Sequence, residues 1–174
     1  ANKTTLSSSV RKEIFMKSIF RRKEIEKIYE IDNYKYFLLK EDDYEETEQG
    51  FLCNGHNIER AMVRDTATPR SLRYEKTEKI IFPYSYNGGD LIRFEVDEFE
   101  TNYPETAAYL NDFREDLDKR QSDTNSKWYE YGRSQALAGL DSDKLLISTV
   151  ITENVAVYRL TRECIPYAGM YIVS

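Results

Sequence analysis

Between Lys79 and Val96 the chain reads KIIFPYSYNGGDLIRFEV, two β-rich apolar runs around Asn87-Gly88-Gly89. Glycine supplies the positive φ that a tight turn needs, so this stretch predicts a β-hairpin. Pro83 has no N–H to give to a ladder and belongs at an edge or a strand end. Downstream the apolar period lengthens. Tyr103, Ala107, Leu110, Phe113 and Leu117 recur at steps of three and four and predict one buried face of a long helix. Pro104 suits its first turn, Glu100 and Glu105 sit near its positive end, and Lys119 and Arg120 close its negative end. KLLISTVI (144–151) reads as a buried strand. Glu153-Asn154 predicts a turn into Val155–Leu160, where apolar positions alternate, and Gly169–Val173 predicts a last strand.

The first third is less regular. Tyr34–Lys40 (YKYFLLK) reads as a strand, followed by an acidic loop. Asn57 is placed to cap a short helix running through Val63, and Thr66–Arg70 (TATPR) interrupts regular structure. Residues 10–31 mix charges with Ile14, Phe15, Ile19, Ile25, Ile28 and Tyr29. The last three have helical spacing, and the earlier ones fit no single period. There are no internal repeats. The sum is an α+β domain: a mixed, mostly antiparallel sheet with hairpins and a few packed helices.

A chain of 174 residues is long enough for one domain with its own core. No apolar run approaches the ~20 residues of a membrane span, and no signal-peptide pattern opens the chain, so a cytoplasmic protein without a membrane partner is expected. Ala1 opens directly into polar residues and the chain closes on an apolar stretch, which predicts a piece processed or cut from something longer. Cys53 and Cys164 are expected to be reduced thiols, and the lone His56 has no partner at zinc-site spacing. Net charge is −6 but uneven. Six acids lie between Glu41 and Glu48. In residues 60–79, Arg60, Arg64, Arg70, Arg73, Lys76 and Lys79 face only Asp65, Glu75 and Glu78. Local field, not net charge, decides what approaches a surface.

Signatures of independent catalysis are missing from the sequence: no GxGxxG, no P-loop, no GxSxG. Asp65, Glu75 and Lys76 could be recruited into a metal-nuclease cluster, but such spacing arises easily in so charged a chain. Binding has more behind it. WYEYGRSQAL (128–137) places the chain's one Trp beside two Tyr, a Gly, an Arg and a Gln. Arg grips guanine and Gln grips adenine bidentately in the DNA major groove, and Gly132 lets backbone approach a phosphate. Arg133, Ser134 and Gln135 thus form a candidate readout cluster. The competing reading makes Trp128, Tyr129 and Tyr131 packing residues and pairs Arg133 with a carboxylate.

Taken in order, IERAMVRDTATPRSLRYEKTEKIIFPYSYNGGDLI, NYPETAAYLNDFREDLDKR, KWYEYGRSQAL and DSDKLLIS resemble one family. It is the C-terminal specificity domain of adenine-N6 DNA methyltransferases of restriction–modification systems, the TaqI-like type, found also in fused restriction-methylation enzymes. The resemblance spans residues 57–174, and residues 1–56 form a divergent N-terminal part of the same recognition domain. It implies double-stranded DNA as partner, held between this domain and a Rossmann-like catalytic domain of the same parent chain. That half binds S-adenosylmethionine, receives a flipped adenine and carries an Asn-Pro-Pro-aromatic motif. No such motif occurs here, so the chain is expected to bind DNA, to hold no cofactor of its own and to catalyse nothing alone. The candidate DNA contacts are Arg133, Ser134, Gln135, Lys127 and Trp128, supported by Arg64, Arg70 and Arg73. A motif shared across target specificities suits phosphate positioning better than base reading. Base reading then falls to residues 64–76, 121–127 or the first third. Two alternatives stand beside this: a protein–protein interaction or regulatory module using the acidic 41–48 loop, and a small metal-dependent nuclease.

Overall fold

The structure is a computed structural model that describes residues 3–5, 26–30, 34–120, 122–134, 136–148 and 156–173. Its most legible element comes first. Strands β9 (Tyr84–Asn87) and β10 (Asp90–Arg93) pair antiparallel around Gly88 and Gly89, whose φ angles are 60° and 94°. Both turn positions need the left-handed region, and glycine enters it without steric cost. Pro83 falls between β9 and the preceding strand, β8 (Glu78–Ile81), where no ladder donor is required.

The larger sheet is antiparallel throughout and has five strands. In spatial order they are β1 (Lys3–Thr5), β12 (Ala156–Leu160), β11 (Lys144–Ile147), β14 (Ala168–Val173) and β2 (Glu26–Glu30). Leu146 on β11 faces Tyr158 and Tyr171 across the two neighbouring ladders, and all three side chains are buried. The apolar run from Lys144 is therefore buried on one face only, with Leu145 exposed to water. Lys144 lies on the buried side. Its ammonium donates to the carbonyls of Thr161 (3.0 Å) and Cys164 (2.9 Å), and burial lowers its pKa. Both cysteines are free thiols.

A second sheet runs β13 (Cys164–Pro166), β7 (Val63–Ala67), β8, β3 (Leu38–Lys40), with only β13 and β7 parallel. A third joins β4 (Glu45–Glu46), β5 (Gly50–Cys53) and β6 (His56–Glu59). Gly50 is obligatory there: a Cβ on it would stand 2.0 Å from the Ile58 carbonyl oxygen. Against these sheets pack four short helices: α1 (Pro69–Arg73), α2 (Val96–Asn102), α3 (Pro104–Asn111) and α4 (Arg114–Lys119). The α+β class expected from the sequence is the class observed, and no described helix is long and apolar enough to cross a membrane.

Several local expectations change. The long helix is broken into α3 and α4, and Glu100 belongs to α2. Pro104 has no N–H and disfavours helical backbone at Tyr103, which sits at φ −132°, ψ 58°. A second break at Asp112–Phe113 lets Phe113 pack on Tyr36 and Tyr109 while Leu117 still reaches the core. Asn57 caps nothing. It lies in β6, and its side chain holds Thr47 (2.9 Å) and Gln49 (3.2 Å). The helix cap comes instead from Glu59, whose carboxylate receives the N–H groups of Glu105 (2.9 Å) and Thr106 (2.8 Å) and the Thr106 hydroxyl. TATPR does not interrupt structure: β7 runs to Ala67, and Thr68 then caps α1 through a reciprocal pair of bonds with Ser71. Residues 26–30 are a strand, not a helix, because pairing with β14 outweighs the spacing of Ile25, Ile28 and Tyr29. Tyr34–Tyr36 is a 3-10 turn, so the strand there begins only at Leu38. The readings of Ile14, Phe15 and Ile19, of residues 149–151 and of Glu153-Asn154 lie outside the described residues.

Candidate nucleic-acid interface

The aromatic half of WYEYGRSQAL is core. Tyr129 stacks on Phe99 with centroids 3.9 Å apart, and its hydroxyl donates to the Phe94 carbonyl (2.8 Å). Tyr131 meets Phe37 edge-on at 4.8 Å and donates its hydroxyl to the Ile81 carbonyl (2.5 Å), while its N–H donates to the Tyr84 hydroxyl (2.8 Å). Between these rings Glu130 is 0% exposed. Its carboxylate accepts from Arg93 Nε (2.8 Å) and Nη2 (2.5 Å) and from the Lys127 N–H (2.8 Å). This bond to Glu130 is the main reason the Arg93 pKa is raised. A buried carboxylate this well satisfied holds the loop in one position.

The polar half then leaves the core. Gly132 is buried and its carbonyl takes the Asp123 N–H (2.8 Å). Arg133, the next residue, is exposed, and among the described residues it makes no hydrogen bond or ion pair. Ser134 is half-buried, with its N–H on the Asp123 carboxylate (3.3 Å) and its carbonyl on the Leu137 N–H (3.0 Å). The loop is thus tied on both sides of Arg133, and its guanidinium pairs with no carboxylate among the described residues. Gln135 lies outside the described residues.

The other candidates separate into three groups. Lys127 and Trp128 are occupied. The Lys127 ammonium bonds the Phe94 carbonyl and the Glu95 carboxylate (2.9 Å), and Trp128 carries the Arg114 guanidinium over its ring at 4.4 Å. Arg64 is half-buried. It donates to the carbonyls of Ala61 (3.1 Å) and Val63 (3.2 Å) and lies 5.9 Å from the Phe82 ring. Arg70 and Arg73 share α1, are both exposed, and have no bonded partner among the described residues.

Sequence reasoning missed the Arg93–Glu130 pair. The signal was present, since an acid set between rings must find a cation or stay uncharged. It also left Lys40 and Tyr74 out, though both are exposed near α1. Asp65, from the imagined nuclease cluster, is paired with Lys79 at 2.6 Å. Among the described residues no three of His, Cys, Asp and Glu form a group able to hold a metal ion.

No family model matches the chain. A stretch of 85 residues, 45% of the chain, is 31% identical to RM.Eco57I of Escherichia coli, a type II restriction enzyme and methyltransferase. The chain is distantly similar to a restriction–modification enzyme. The matched stretch spans 8% of that protein's length. The similarity agrees in enzyme class with the resemblance carried by IIFPY and WYEYGRSQAL. The restriction and methyltransferase activities in the relative's name are those of the relative.

Proposed function

We propose that this chain is a target recognition domain: a module that grips duplex DNA in a sequence-dependent way within an adenine-N6 restriction–modification enzyme. Methyl transfer from S-adenosylmethionine to a flipped adenine would be the work of a catalytic domain elsewhere in the parent chain. This chain supplies grip and register. The observation that carries the reading is Arg133, an exposed residue on a loop pinned by Glu130 and Asp123 and paired with no acid among the described residues. The planar fork of an arginine here matches guanine or phosphate, and the tied backbone beneath it spares binding the cost of ordering the loop. The distant similarity to a restriction–modification enzyme supports the same reading.

Arg133→Ala tests it by fluorescence anisotropy on labelled duplexes. If Arg133 reads a base edge, the variant loses about 1–3 kcal/mol at one base-pair position. If it holds a phosphate, all duplexes weaken alike and the slope of log K against log salt falls by about 0.9. Unchanged binding of a cognate duplex removes Arg133 from the contact. A second reading rests on the acidic loop, where Glu41, Asp42, Asp43, Glu45 and Glu48 are exposed and make no ion pair among the described residues. Such a surface suits a basic protein partner. A gel shift at low salt separates the two, because a protein-binding module retards no duplex.

A further inference from the structure

This chain is acidic, with 31 acids against 25 bases, and several of its described cations find a carboxylate. Arg60 pairs with Glu46, Lys79 with Asp65, Arg114 with Asp118, Arg159 with Asp143 and Arg162 with Asp141. Arg70, Arg73 and Lys76 do not. They are exposed, lie three residues apart along the chain, and make no hydrogen bond or ion pair through their side chains among the described residues. Glu75 and Glu78 lie within the same segment and pair with none of the three. Glu78 instead accepts from the Tyr167 hydroxyl (3.2 Å).

The backbone beneath these cations is fixed. Thr68 and Ser71 cap α1 reciprocally, and the Lys76 N–H returns to the Ser71 carbonyl (2.9 Å). Glu75 takes a left-handed φ of 54°, a conformation that non-glycine residues adopt only when their surroundings impose it. The turn leaves the Tyr74 ring 64% exposed between Arg73 and Lys76. Two open grooves flank the helix. One, of about 490 Å³, is lined by Lys40, Arg70, Tyr74 and Lys76, with Glu78 among them. The other, of about 530 Å³, is lined by Arg73, Lys76 and Arg159 together with the carboxylates of Asp65, Glu75 and Glu78. Lys76 lines both. Lys40 also makes no side-chain bond to any described residue, so four uncommitted cations surround one rigid turn.

We propose that α1 and the turn after it form a phosphate clamp, in which Arg70, Arg73 and Lys76 contact successive phosphates of one DNA strand. Lys40 faces the same strand from the far wall of the groove, and the Tyr74 ring lies against a sugar between the phosphates. This surface reads no sequence. It sets register, so that discrimination is made elsewhere. The inference rests on the reading that the chain binds duplex DNA.

Salt titrations test it with the chain as it is. Labelled duplexes of several sequences are titrated at a series of salt concentrations with the natural chain and with Arg70→Gln, Arg73→Gln and Lys76→Gln combined. The expected result is a slope of log K against log salt shallower by about 2.7, equal on every duplex. Arg70→Lys with Arg73→Lys keeps the natural slope, because charge and reach are retained. The thermal midpoint of each variant stays at the natural value, since the exchanged side chains bond to nothing described. Tyr74→Ala weakens every duplex alike and Tyr74→Phe does not. If the natural chain binds no duplex at the lowest salt, the DNA reading itself falls and the clamp with it. If the natural chain binds but the triple variant keeps its slope, the clamp is overturned and the DNA reading stands. A triple variant that weakens on one sequence only is a base reader, which also overturns the clamp.

Discussion

Glu130 has rings on either side in sequence and a guanidinium across from it in space, and its charge is tolerable only because Arg93 is there. Removing one member of such a pair strands the other. Arg93→Ala should therefore cost about 3–5 kcal/mol in a urea unfolding titration, while Arg133→Ala, three residues from Glu130, should leave the midpoint unchanged. The contrast separates a residue that holds the loop from one the loop holds. At this scale the sequence was only half legible. A run of aromatics beside Gly and Arg is visibly unusual. Which rings are core is decided by partners far away in the chain, Phe99 for Tyr129 and Phe37 and Tyr84 for Tyr131. Lys127 and Trp128 belong to the same lesson, because their neighbours Glu95 and Arg114 come from other elements.

Elements whose shape is set by local chemistry were readable, and those set by their neighbours were not. The Gly88-Gly89 hairpin needs nothing beyond its own backbone preference, and it formed as expected. The strand at residues 26–30 exists because β14 offers it a ladder, which no period within five residues reveals. The broken helix after Pro104 lies between these cases. Its apolar face was identified correctly, yet the two breaks within it depend on where Tyr103 and Phe113 must pack. Gly50 makes the distinction measurable. Gly88→Ala leaves open space around the new methyl group and should cost only the left-handed strain of about 1–2 kcal/mol. Gly50→Ala drives a methyl into the Ile58 carbonyl and should cost clearly more, with the loss visible as faster amide exchange across β5 and β6.

For the molecule as a whole, net charge misleads and distribution informs. An overall −6 argues against a polyanion, but six of the acids crowd into the 41–48 loop, while the uncommitted cations Lys40, Arg70, Arg73 and Lys76 border α1. The imbalance was visible in the sequence. That Arg60, Lys79, Arg93 and Arg162 are neutralised by acids was not, because the pairing is made in three dimensions. The α+β class followed from the strand and helix periods, whereas the division into sheets did not, since strand order is fixed by long-range pairing that no single segment encodes.

That strand order bears on anyone who would shorten the chain. Both outermost strands of the large sheet, β1 and β2, come from the first thirty residues, and β3 borders the second sheet from just beyond them. A fragment kept to residues 57–174 would bare the rims of β12, β14 and β8 together, three rows of unpaired amides open to any passing strand. Such a fragment should self-associate, eluting ahead of the intact chain in gel filtration and scattering light at concentrations where the intact chain stays clear. The stretch before residue 57 would then prove to be the hem that keeps the fabric from unravelling into its neighbours.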